Sequence, residues 1–281
     1  KNQMKTLYDR VSMKSSKLVT NAYSTSFSMG IKFLAPRFHN PIYAIYGFVR
    51  LADEIVDSFH DFNKAKLLKE FKRDTYQAIE EGISMNPILQ SFQEVTRKYG
   101  IEHYLIETFL KSMEMDLHKS EYDQSGYETY ILGSAEVVGL MCLRVFTEGD
   151  TKRYEELKPF AMKLGSAFQK INFLRDLHAD KEGLGRMYFP QLKNRHFTED
   201  VKKEIEEDIA ADFELGYQGI KMLPKDARFG VYVAYIYYSK LLNKITQLPA
   251  ESIMEERVRI SDQHKYALFF GSFLRHSFNM L

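Results

Sequence analysis

Along nearly the whole chain apolar side chains recur at intervals of three and four, and nowhere do they alternate at the period of two that a half-buried strand requires. Leu68, Phe71, Tyr76 and Ile79 follow the helical period, as do Tyr104, Phe109, Met113 and Leu117. No Asn-Gly or Asp-Gly pair offers a tight hairpin turn. The pattern restricts the chain to an all-α fold. Seven prolines and 15 glycines are few for 281 residues, and they gather between the periodic segments. Pro36, Pro41, Pro87, Pro190 and Pro224 read as helix boundaries, because proline lacks the donor that a helix interior needs. The spacing predicts helices near 4–29, 41–60, 64–82, 87–99, 103–120, 127–147, 152–180, 198–222, 227–247 and 262–280. Without a Ser/Gly-rich linker, a repeat or a low-complexity run, one domain over residues 1–281 is the expectation.

Several function classes drop out on composition. Lys plus Arg (39) balance Asp plus Glu (38), so no global polycation points to nucleic acid. The single cysteine, Cys142, excludes an intramolecular disulfide framework and a cysteine-built metal site, and reads as a small buried apolar residue. The first residues carry no apolar signal core. No run reaches the ~18 apolar residues that span a bilayer. The nearest, Val137-Val138-Gly139-Leu140-Met141-Cys142-Leu143, ends at Arg144. A soluble, cytoplasmic protein is expected, with room for a peripheral visit to a membrane.

Acid pairs four apart lie one helical turn above each other, and such a pair suits Mg²⁺, which takes a few carboxylates together with waters and phosphate. The spacing alone is cheap. Glu204, Asp208 and Asp212 share it, among Lys202, Lys203, Glu206 and Glu207, in what reads as a solvated face. Asp53 and Asp57 sit differently, directly after Ile42–Ala52, a segment apolar nearly all round. Asp176 and Asp180 follow Ile171-Asn172-Phe173-Leu174-Arg175. Carboxylates on buried helices are costly unless paired or metal-bound. Arg50 precedes Asp53 by three and Arg175 directly precedes Asp176. For each pair alone, a structural salt bridge competes evenly with function. Two such clusters favour a diphosphate clamp, in which metals and arginines share the phosphate oxygens.

Around these clusters the chain resembles the squalene/phytoene synthase family, which joins two prenyl diphosphates head to head. Tyr23-Ser24-Thr25-Ser26-Phe27-Ser28 is similar to the family's early serine-phenylalanine motif. Ala44-Ile45-Tyr46, Arg50 and Asp53-Glu54-Ile55-Val56-Asp57 resemble its first aspartate-rich motif. Tyr130 through Gly139-Leu140-Met141 resembles the segment with the catalytic tyrosine. Gln169, Asn172, Arg175, Asp176 and Asp180 resemble the second aspartate-rich motif, followed by the loop Gly185-Arg186-Met187-Tyr188-Phe189-Pro190. Tyr238, Arg257 and Lys265 match more loosely. Two departures stand out: Ala179 replaces an acid, and Leu132, Ser134 and Glu136 are unusual in the tyrosine segment. A surface-facing or salt-bridged Glu136 is expected rather than a catalytic one.

The resemblance implies an isoprenoid synthase fold, a helical bundle around a central cavity. It implies Mg²⁺ (with Mn²⁺ as a substitute) on Asp53, Asp57, Asn172, Asp176 and Asp180. Substrate contacts would come from Ser26, Phe27, Tyr46, Arg50, Gln169, Asn172, Arg175, Tyr238, Arg257 and Lys265, and Tyr130 would steer a proton near the leaving group. The leading expectation is a phytoene synthase joining two geranylgeranyl diphosphates through a cyclopropyl diphosphate, without NADPH. A farnesyl-using squalene or dehydrosqualene synthase is the runner-up, and a non-catalytic helical scaffold stands as the alternative of another class. The oligomeric state is not legible.

Overall fold

A computed structural model describes residues 3–261. Among them lie the helices α1 (Gln3–Tyr23), α2 (Thr25–Lys32), α3 (Pro36–Ser58), α4 (Lys64–Glu81), α5 (Pro87–Tyr99) and α6 (His103–His118). They continue as α7 (Gln124–Ile131), α8 (Val137–Thr147), α9 (Thr151–Leu184), α10 (Glu199–Met222), α11 (Lys225–Gln247) and α12 (Ala250–Glu255). The described residues contain no strand beyond an isolated bridge between Glu121 and Met187. The fold is all-α, as the periodicity requires. The helix expected over 262–280, and Lys265 with it, lies outside the described residues.

The corrections are local and physical. The expected helix 4–29 is two helices, because Ser24 leaves helical geometry (φ −144°) and its hydroxyl accepts the Phe27 N–H at 3.1 Å. Pro36 does begin α3, but Pro41 lies inside it, as Pro159 lies inside α9. Burial of Phe38, Ile42, Ala44, Ile45 and Phe48 carries α3 past the missing hydrogen bond. α9 runs to Leu184 rather than 180 and stops where Gly185 takes φ 61°. The expected helix 127–147 is α7 and α8 joined through a π-helical turn, Leu132–Glu136. Gly133 there lies so close to α6 that a Cβ would come within 2.6 Å of Ser112 Cβ and the Thr108 carbonyl oxygen. The joined run 124–147 has the length and apolar composition of a membrane span, yet half of its apolar window is buried inside the bundle. α12 carries no signal that the periodicity picks up.

Apolar burial falls into two clusters. One joins α3 to α6 and α8, with Phe48 stacked on Phe92 at 3.8 Å. The other joins α7, the C-terminal half of α9, α10 and α11 with the loop after α9. α3 and α9 each pack on α8. The acids of α10 are also corrected. Lys203, Glu204 and Glu207 are solvated as expected, but Lys202 and Asp212 are buried. Asp212 accepts from Lys163 (2.9 Å), Lys170 (2.8 Å) and Ser166 (2.7 Å) on α9, and Asp208 pairs with Lys170 at 2.6 Å. These acids fasten α10 to α9. Cys142 is partly buried, and burial pushes its thiol up to about 12.

Candidate active site

On α3, Tyr46, Arg50, Asp53 and Asp57 fall at helical spacing along one stripe, and on α9 Gln169, Asn172, Asp176 and Asp180 do the same. Arg50 bonds both Asp53 and Glu54, while its guanidinium lies 4.4 Å from the centre of the Tyr23 ring. Burial first, and the Asp57 charge second, push the Asp53 carboxyl up to about 7. Asp180 is likewise pushed up to about 7 by burial, then by the charges of Asp176 and of Asp57 on the other helix. Arg186 ties the ends of the two stripes together: its backbone N–H donates to the Asp180 carbonyl at 2.9 Å and its guanidinium to Asp57 Oδ1 at 2.6 Å. Arg175 Nε donates to Asp176 Oδ1 at 3.0 Å, and Arg257 Nε reaches the same oxygen at 2.6 Å. Against the pull of burial, Asp176 holds the Arg175 guanidinium charged.

Other expected residues converge on the same place. Tyr238 donates to Asn172 Oδ1 at 3.1 Å, and Gln169 Nε2 donates to Ser134 Oγ at 2.9 Å. Phe27 lies 5.6 Å from the Tyr46 ring and 6.3 Å from Tyr238, so α2 closes the gap between α3 and α11. Ser26 is half-buried in the first turn of α2 and makes no side-chain hydrogen bond among the described residues.

Tyr130 is buried, and its hydroxyl donates to Asp116 Oδ2 at 2.6 Å. Tyr122 and Tyr188 both donate to Asp116 Oδ1 at 3.1 Å. Arg186, buried in the loop after α9, donates to Asp57 Oδ1 at 2.6 Å and to the carbonyl oxygens of Val56 and Asp116. Asp57 and Tyr130 are therefore linked through Arg186 and Asp116. Burial pushes Asp116 up to about 6 in spite of Arg186 and raises Tyr130 and Tyr188 well above the ordinary phenol. Neither Asp116 nor Arg186 is among the site residues expected from sequence. A signal existed for the first, since Asp116 takes the next position of the buried stripe Phe109, Met113 on α6. A carboxylate at a core position needs partners.

Glu136 is half-buried at the end of the π turn, and burial pushes it up to about 7. Of the two expected alternatives, surface-facing or salt-bridged, Glu136 is only partly exposed and makes no salt bridge: Lys163 and Lys170 act on it at a distance, both being bound to Asp212.

Among the described residues, no three His, Cys, Asp or Glu side chains gather as a ready-made metal cage. The donor set suits a hard cation shared with a ligand: carboxylates on two helices, crowded enough that Asp53 and Asp180 hold protons near neutrality. A divalent cation would relieve that crowding.

Residues 20–263 match the description of the squalene/phytoene synthases. A 4,4'-diapophytoene synthase of Staphylococcus haemolyticus is 22% identical over 88% of this chain and 91% of its own length. A chloroplastic phytoene synthase 1 of Solanum lycopersicum is 23% identical over 79% of this chain and 58% of its own. Among solved structures, a dehydrosqualene synthase in complex with ligand superposes with a TM-score of 0.78 at 21% identity, covering 94% of this chain and 96% of that one.

Proposed function

The chain belongs to the squalene/phytoene synthase family, and from that premise we propose that it condenses two prenyl diphosphates head to head through a cyclopropyl diphosphate, releasing diphosphate. The observation that carries this reading is an arginine-held aspartate pair on each of α3 and α9, the two joined by Arg186, which bonds Asp57 through its side chain and the Asp180 carbonyl through its backbone N–H. Asp53, Asp57, Asn172, Asp176 and Asp180 would hold Mg²⁺ or Mn²⁺, which when bound neutralises and activates the leaving diphosphate.

The residues themselves divide the remaining work. Arg50, Arg175, Arg186 and Arg257 now neutralise aspartates, and on substrate binding they exchange those carboxylates for phosphate oxygens, which guanidinium geometry also fits. Tyr238 and Gln169 hold Asn172 in place. Phe27, Tyr46, Phe168 and Tyr238 line the approach with ring faces that exclude water from an allylic cation and stabilise it. Tyr130 donates its own proton to Asp116, which leaves its oxygen free to accept one from the substrate side. Helices from both apolar clusters contribute to the site, which favours reading residues 1–281 as one domain.

The near full-length match to a 4,4'-diapophytoene synthase and the likeness to a dehydrosqualene synthase support farnesyl diphosphate as the substrate. Formation of phytoene from geranylgeranyl diphosphate is the second reading. A cytoplasmic enzyme with a peripheral membrane contact for product release completes the proposal, and no NADPH is required for a dehydrosqualene or phytoene product. The test is incubation with each diphosphate and Mg²⁺, with and without NADPH, followed by product identification. A C30 polyene formed without NADPH is expected from farnesyl diphosphate. Diphosphate release from neither substrate would refute the reading.

A further inference from the structure

The hydrophobic effect places apolar side chains inward and polar ones outward on a helix at a protein surface, and α1 follows this only in part: Met13 and Val19 pack on the core, yet other apolar residues face outward. Its inward face carries Ser12, Ser16 and Thr20, one helical turn apart and fully buried. Their hydroxyls are used internally: Ser16 bonds Ser91 at 2.6 Å, and Thr20 and Ser12 bond the carbonyls one turn back at 2.9 Å. Gly47 of α3 lies close enough that a Cβ there would meet Ser16 Oγ at 3.0 Å. The outward face carries Met4, Leu7, Val11 and Leu18, with exposures of 76%, 49%, 46% and 70%. At 100° per residue these four fall within about 60° of one another around the axis, a single apolar stripe. Exposed singly they would need no explanation, but as a stripe they do.

The charges beside the stripe are of one sign. Arg10, Lys14 and Lys17 are exposed along one side of it, with the Lys17 ammonium 5.7 Å from the centre of the Tyr43 ring. The one acid of α1, Asp9, is turned aside and held by Lys5 at 2.8 Å and by Gln90 at 2.9 Å. An apolar stripe flanked by cations matches the boundary between anionic headgroups and acyl chains. A second copy of the same face would set three cations against three.

We propose that the outward face of α1 docks this protein on anionic bilayers, with Met4, Leu7, Val11 and Leu18 entering the acyl boundary and Arg10, Lys14 and Lys17 meeting headgroup phosphates. The preference for a bilayer over an acidic protein surface rests on the function proposed above, whose polyene product is insoluble in water. The geometry of the face does not depend on it.

The test is co-sedimentation of the full chain with vesicles of phosphatidylcholine alone or of phosphatidylcholine and phosphatidylglycerol in equal parts. The chain should bind the anionic vesicles, and binding should weaken with salt. Leu7→Glu with Leu18→Glu should reduce it at least tenfold, and Lys14→Gln alone by about fivefold. Both sites are exposed, so the helical circular dichroism should be unchanged, and Leu7→Gln with Leu18→Gln provides a milder pair. No binding to anionic vesicles at low salt would overturn the proposal, as would binding indifferent to the double substitution. A dimer dissolved by that substitution in a chain that ignores vesicles would assign the face to a second copy instead. The vesicle assay contains no prenyl diphosphate, so a chain that binds vesicles but turns over no substrate would sink the proposed function and leave this inference standing.

Discussion

Gly133→Ala is the sharpest perturbation the site offers, because the space it needs is occupied by atoms that cannot turn aside. The new Cβ would stand 2.6 Å from Thr108 O, a backbone atom of α6, and 2.6 Å from Ser112 Cβ. Ordinary contact begins at 3.4 Å, so the π turn and α6 must separate by 3.4 − 2.6 = 0.8 Å. Overpacking of this kind costs about 1–3 kcal/mol, and two rigid contacts put it at the upper end. Alanine offsets part of that, since it is better in a helix than glycine by roughly 0.5–1 kcal/mol. The net expectation is a loss of about 2 kcal/mol, or a Tm lowered by roughly 3–4 °C in a chain of this size. Gly183→Ala is the matched control, because Gly183 lies in α9 with nothing within 4 Å of its Cβ position. It should raise Tm by roughly 1–2 °C. Both are read by thermal unfolding. Turnover separates them further: Tyr130 precedes Gly133 by three residues, and Ser134 beside it holds Gln169. Displacing that segment should lower kcat about tenfold or more, while Gly183→Ala leaves kcat unchanged. If Gly133→Ala melted at or above the parent temperature, the close approach of the π turn to α6 would be refuted.

Asp53→Asn and Asp180→Asn should each abolish diphosphate release while the circular dichroism stays helical, and normal turnover would sink the metal assignment. In metal-free protein both carboxyls hold protons up to about 7 when folded, against 3.8 when unfolded. The stability they confer is complete below about pH 4 and is lost as pH rises through about 7. Thermal melts should therefore be lower at pH 8 than at pH 6, and Asp180→Asn or saturating Mg²⁺ should flatten that slope. Arg186→Gln should destabilise by about 3–5 kcal/mol, because it breaks a buried pair and leaves Asp116 short of a cation. Denaturant unfolding measures that, and a change below about 1 kcal/mol would mean that the pair behaves as a surface one. Tyr130→Phe keeps the ring packing on Phe173 and Tyr188, so stability should fall by only about 1 kcal/mol. Turnover should fall far more, and unimpaired turnover would remove Tyr130 from the mechanism.

Much of this molecule was legible in the sequence for a simple reason. Helical periodicity is a local property, and both aspartate pairs announce themselves by spacing and by an apolar setting. The setting of Asp53 and Asp57 separated them from the acids of α10. The same test was too coarse for Asp212, because one helix bears both solvated Glu204 and buried Asp212, and only the placement of Lys163 and Lys170 on α9 reveals which is which. Long-range pairing was likewise out of reach. Arg186 stands 129 residues from Asp57, and Tyr188 stands 72 from Asp116, separations over which no periodicity carries information. The break at Ser24 rests on a single extended residue, too short to interrupt the periodicity, and the π turn at Leu132–Glu136 stays helical, so the apolar pattern runs through it with only a change of phase.

That change of phase gives the π turn a consequence for how the segment tolerates insertion and deletion. A π turn holds one residue more than the α-helical turn it replaces, so Leu132–Glu136 acts as a rotational offset between Tyr130 and Val137. Deleting any one residue there would yield an unbroken α-helix of better hydrogen-bond geometry. It would also rotate one flank against the other by about 100°. Either Tyr130 would swing off Asp116, or Val137, Leu140 and Met141 would leave the core. A more regular helix would be bought with a disassembled site. The site therefore depends on the length of this segment as well as on the glycine within it.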